Sequence, residues 1–152
     1  MKKIFSLIFL ILIVSSVKAI ETKIVRNIQN EIITNVDIKN EFRYLSALNN
    51  NLKNLKKEKI LNISFNSIIN EKIKKIELLK YYKEIEINIE YSNILLKRIY
   101  TRQGLKSLEE FEVYLEDYGL TIDNIIKKIA IDALWNQLVI KKYGSQIEIN
   151  ES

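Results

Sequence analysis

Apolar and polar positions change rhythm several times along the chain, and the first change is the sharpest. Ile4 to Val14 is an almost continuous apolar run, broken only by Ser6 and preceded by Lys2 and Lys3. Ser15, Ser16, Val17, Lys18 and Ala19 follow, with Val17 and Ala19 at the minus-three and minus-one positions of a cleavable export signal. A membrane-spanning helix needs about 20 apolar residues, and this run stops well short of that. Residues 1–19 are therefore expected to be removed as a signal peptide. The mature chain, 20–152, is expected to be periplasmic, with no stable membrane insertion.

From Ile20 the rhythm becomes an alternation. Ile24, Arg26 and Ile28 fall on one side and Val25 and Asn27 on the other, before the polar Gln29-Asn30-Glu31 and then Ile32-Ile33. Alternation of period two with β-branched residues predicts a strand, a turn and a second short strand. Thr34-Asn35 then offers a helix cap, and Asp37 favours the positive end of the helix dipole. The helical period that follows predicts a first helix from Asn35 to Leu48, with Ile38, Phe42, Leu45 and Leu48 on one stripe, ended by Asn49, Asn50 and Asn51.

A second, long helix is expected from about Leu55 to Lys83, with Leu61, Phe65, Ile68, Ile69, Ile73, Ile76, Leu79 and Tyr82 at helical spacing and lysines opposite. Ile85, Ile87 and Ile89 alternate with Glu86, Asn88 and Glu90, a pattern that fits either an extended linker or the start of the next helix. The third helix is expected from about Asn88 to Thr101, closed by Gly104. Ser107-Leu108-Glu109-Glu110 reads as a capping box opening a fourth through Phe111 and Leu115, ended by Gly119. Thr121 caps a fifth, running to about Tyr143 and Gly144. It carries an inner stripe of Ile122, Ile125, Ile126, Ile129, Ala133 and Leu138, and a second apolar row of Ile131, Trp135 and Val139. A helix apolar on more than one face is either enclosed or offers a docking surface. Gln146 to Ile149 reads as a short C-terminal strand. The fold class is thus mainly α, a multi-helix domain with a short N-terminal β-hairpin.

Composition narrows the function. The chain carries a formal +5, but Lys2, Lys3 and Lys18 leave with the signal, so the mature chain keeps 21 basic against 19 acidic residues. Its only dense basic cluster, Lys53, Lys56, Lys57 and Lys59, sits at a helix start and reads as a solvated helix end rather than a nucleic-acid interface. Cysteine and histidine are absent altogether. That removes disulfides, the usual zinc ligands, the thiol nucleophile and the commonest general base. The carboxylates Glu109, Glu110, Glu112, Glu116 and Asp117 read as a solvated helix face. Glycines stand only at 104, 119 and 144, each at a helix end, which excludes a phosphate-binding loop. No catalytic residue, metal ligand or cofactor site is expected. Most of the eight tyrosines read as core packing; a ring at a concave surface, serving as an adaptable contact for unfolded chain, is the sharper reading.

The order of these elements resembles the N-terminal domain of the SurA family. The resemblance is carried by Val25 to Asp37 (VRNIQNEIITNVD), by Ile73 to Leu79, and by Tyr118-Gly119-Leu120-Thr121 leading to Leu134-Trp135-Asn136-Gln137-Leu138. It spans nearly all of residues 20–152. It implies a periplasmic, ATP-independent chaperone domain that binds unfolded outer-membrane protein segments and assists their assembly. It also implies downstream parvulin-type peptidyl-prolyl isomerase domains, none of which these residues hold. On this reading the chain is either a stand-alone chaperone module or the N-terminal fragment of an isomerase; a helical envelope adaptor protein is the reading outside the family. The candidate client-binding residues are Phe42, Tyr44 and Leu45 on the first helix and Trp135 on the fifth, whose extra apolar row would meet either client or a following part of a longer chain.

Overall fold

Three predicted helices, the first, fourth and fifth, have a cap residue that starts them, and the computed structural model, which describes residues 21–144, shows those caps in use. Strands β1 (Ile24–Ile28) and β2 (Glu31–Thr34) form an antiparallel hairpin in which Ile28 faces Glu31 and Arg26 faces Ile33. The register slips between Ile24 and Arg26, so Val25 is an extra residue in β1. Gln29 makes the turn at φ 51, a left-handed conformation seldom taken by a side-chain-bearing residue. Only Ile33 of the hairpin is fully buried, and Ile24, Val25 and Ile32 stay exposed.

Thr34 ends β2 and caps helix α1 (Asn35–Leu48): its hydroxyl accepts from the Asp37 amide at 3.2 Å, and the Asp37 carboxylate accepts from the Thr34 amide at 2.8 Å. A short 3-10 turn, Asn50–Asn54, leads to α2 (Lys57–Leu78), whose N-cap, Lys56, makes no side-chain cap. Asn88 caps α3 (Ile89–Arg102), Ser107 caps α4 (Leu108–Glu116) and Thr121 caps α5 (Ile122–Tyr143). At α4 the serine half of the box is present, while Glu110 accepts from the Lys106 amide at 2.8 Å rather than from Ser107. Gly119, at φ 63, follows α4 in the left-handed conformation, and a side chain there would meet the Arg43 guanidinium. The mainly helical fold with an N-terminal hairpin is therefore as the periodicity predicts; the expected signal peptide and the expected strand at 146–149 lie outside the described residues.

The second helix is shorter than the pattern suggests. It stops at Leu78, whose carbonyl accepts from both Tyr81 and Tyr82 in a tight turn, and residues 83–88 then run without helix or strand. Extended backbone sends alternate side chains to the same side, so Ile85 and Ile87 both reach the interior while Glu84 and Glu86 stay exposed. A continued helix would have swung the two isoleucines apart.

Two apolar clusters are strung along α5. Its first half joins Ala47, Leu96, Phe111, Leu115 and Leu120 through Ile125 and Ile129. Its second half joins Leu78 through Ile131, Leu134 and Leu138, and Ile87 packs against both groups. The C-terminal end of α1 is held by side chains from its neighbours: the Tyr114 hydroxyl donates to the Ala47 carbonyl at 2.7 Å and the Gln103 amide to that of Leu48 at 2.8 Å. Those carbonyls have no acceptor role within the helix itself.

Candidate functional site

The second apolar row of α5 divides. Ile131 is buried in the cluster with Leu78, whereas Trp135 and Val139 are only half-buried and form one wall of a groove. The opposite wall comes from α2 through Ile73 and Ile76, Leu138 lies in the floor, and the turn of the hairpin, at Ile28 and Gln29, closes one end. The groove encloses about 370 Å³. Ile73 and Tyr143 on its margin are 47% and 51% exposed, so apolar surface continues out of the groove onto the outside of the domain.

Its charged margin is built from lysines that share carboxylates. Glu77 accepts from Lys80 at 2.5 Å and from Lys142 at 3.5 Å, and Lys142 also donates to the Tyr81 hydroxyl at 2.5 Å while lying 4.3 Å from that ring's centre. The Lys80 hydrogen bond, with the nearby positive charges, holds the Glu77 carboxyl below its usual range. The bond to Tyr81, and then Glu77, raise Lys142 and keep it charged. Beside the hairpin, Glu31 accepts from Lys72 at 2.7 Å and Lys75 at 2.9 Å, and those two hydrogen bonds hold its carboxyl low as well. Each cluster sets two ammonium groups against one carboxylate and keeps a net positive charge.

A second, larger groove of about 780 Å³ lies along the 83–88 segment. Ile85, Ile87, Leu96, Leu108, Ile122 and Ile126 line it, and its margin is acidic, with Glu84, Glu86 and Asp123 against Lys127.

Between α1, α2 and α5 lies a polar cluster that periodicity does not reveal. Glu41 is 2% exposed, yet it accepts from the Ser67 hydroxyl at 2.7 Å and from Lys128, which also donates to Glu71. Burial opposes the charge on Lys128, but the two carboxylates outweigh it and raise its pKa. The Lys128 ammonium stands 4.7 Å from the centre of the Tyr44 ring. Burial first, then the charges of Asp132, Glu41 and Glu71, push the Tyr44 phenol well above the usual tyrosine range, so it stays neutral. Every buried side-chain polar atom among the described residues has a partner. The cluster is thus a clasp that ties three helices together through satisfied polar contacts. Among the described residues no group of three or more acidic side chains is placed to hold a metal ion.

The four expected contact residues do not line one groove. Trp135 lines the apolar groove; Tyr44 lines the polar clasp; Phe42 and Leu45 are half-buried on α1 and line neither. Sequence reasoning missed the lysine pairs beside the groove. The only signal for them was the lysine-rich face of α2, since Glu31, Lys142 and Tyr81 come from separate elements. Of the tyrosines, Tyr44, Tyr100, Tyr114 and Tyr118 pack on the core, while Tyr81, Tyr91 and Tyr143 are exposed.

Fold and site together define a small helical domain with a hairpin and an apolar groove at its lone tryptophan. No protein-family model, curated protein or solved structure matches the chain. Among the described residues no helix is long and apolar enough to cross a membrane.

Proposed function

We propose that the chain is a SurA-like, ATP-independent chaperone module of the periplasm that holds unfolded segments of outer-membrane proteins. The observation that carries this reading is the half-buried Trp135 groove, with apolar surface running out past Ile73 and Tyr143; the export-signal pattern of residues 1–19 is in keeping with it. An open apolar groove buries an aromatic or aliphatic side chain and releases water, which drives binding without sequence-specific hydrogen bonds. The groove is small, so each engagement is weak, and release needs no energy source. Trp135 is the central contact in this reading. The resemblance of residues 25–37 and 118–138 to the SurA N-terminal domain supports the same assignment.

The test is suppression of aggregation. Protein recovered from the periplasm of a host expressing the full chain is mixed with an outer-membrane protein diluted from denaturant, and light scattering is followed. The expected result is suppression at several-fold molar excess that weakens in Trp135→Ser. Unchanged scattering at that excess would overturn the proposal.

A further inference from the structure

The two lysine clusters say which apolar segments the Trp135 groove prefers. We infer that it selects apolar segments flanked by acidic residues, an inference that rests on the binding role proposed above. The argument is charge complementarity. Lys80, Lys142 and the Glu77 they share line the groove, and Lys72 and Lys75 share Glu31 on the hairpin, two residues past the Gln29 that lines it. Each carboxylate is engaged by two ammonium groups, so among the described residues each cluster carries one more positive charge than negative.

The two ammonium groups that line the groove are also accessible: the side chains of Lys80 and Lys142 are 58% and 34% exposed. A bound segment that buries an aliphatic or aromatic side chain against Trp135 brings its neighbouring residues into their reach. Acidic neighbours are then attracted and basic ones repelled, and such margin charges govern partner choice and encounter more than total affinity. The groove along the 83–88 segment has the opposite margin, with Glu84, Glu86 and Asp123. The positive margin is thus a property of the Trp135 groove rather than of the whole surface.

Trp135 is the single tryptophan of the chain, so its emission, excited where tyrosine does not absorb, reports this groove directly. Protein recovered from the periplasm is titrated with short synthetic peptides sharing one apolar centre and flanked by glutamate, serine or lysine. The expected order of affinity is glutamate, serine, lysine, with about a tenfold span at low ionic strength that narrows as salt screens the margin. Lys80→Glu/Lys142→Glu reverses the order; Lys80→Ser/Lys142→Ser, a gentler change, flattens it. Equal affinity for all three peptides overturns the charge inference and leaves the binding role standing. Emission that no peptide changes, with no heat of binding by calorimetry, overturns both. Emission that shifts on dilution without peptide assigns the groove to a second copy of the chain and also overturns the inference.

Discussion

Glu41 illustrates how a single residue can matter more to the fold than its sequence neighbourhood suggests. It is an acidic residue on a helix whose stripe reads as Ile38, Phe42 and Leu45, and it is almost completely enclosed. Its charge is tolerated because Lys128 and Ser67 meet it. Breaking a buried pair from one side is costly because the remaining charge keeps its desolvation without its partner. Lys128→Met is therefore expected to destabilise the domain by about 3 kcal/mol, measured by urea unfolding. Adding Glu41→Gln should recover part of that loss. Glu31 gives a pH signature of known sign. Its carboxyl is held low in the fold by Lys72 and Lys75, so its contribution is present above the unfolded glutamate value of about 4.3 and is lost as pH falls through the folded value. Against Glu31→Gln, the native chain should be more stable at neutral pH by up to about 1 kcal/mol, with the gap closing in acid. A gap that widened in acid would contradict the assignment.

At the scale of elements, caps and alternation explain both the successes and the misses. Thr34, Asn88, Ser107 and Thr121 each accept an amide hydrogen bond at the helix starts the sequence marks. Lys56 does not, and it places a cation at the positive end of the α2 dipole. Lys56→Asp should thus stabilise the domain by about 1 kcal/mol, and Thr34→Ala should cost about the same, both read from the urea midpoint. The end of α2 was the element least legible in sequence. Leu79 and Tyr82 continue the helical spacing, yet the chain turns at Leu78 because Ile85 and Ile87 gain burial together only in an extended run. The alternation of Ile85, Ile87 and Ile89 contained that information, but it fitted two conformations until the neighbouring helices supplied a surface for one of them.

For the whole molecule, α5 is the organising element: it passes through both apolar clusters, contributes Lys128 to the clasp and ends beside the groove with Trp135 and Lys142. Its doubled apolar surface is explained mostly by enclosure, with Ile131 inside, and only Trp135 and Val139 left at a groove. Export is the other molecule-scale expectation. Expression of the full chain in a Gram-negative host should yield periplasmic protein whose intact mass begins at Ile20, and a cytoplasmic product retaining Met1 would refute it.

Helix and strand positions were legible from the sequence alone because caps, turns and hydrophobic period are local: Asn35 to Leu48 and the hairpin before it are read from neighbours a few residues away. The absence of histidine and cysteine was equally decisive for the chemistry the chain can attempt. Tertiary structure alone decided which charges meet and where apolar surface is left over. Glu31 finds Lys72 and Lys75, and Glu41 finds Lys128, across 41 to 87 residues of chain. Such pairings depend on how helices cross, a global packing result that no local period encodes.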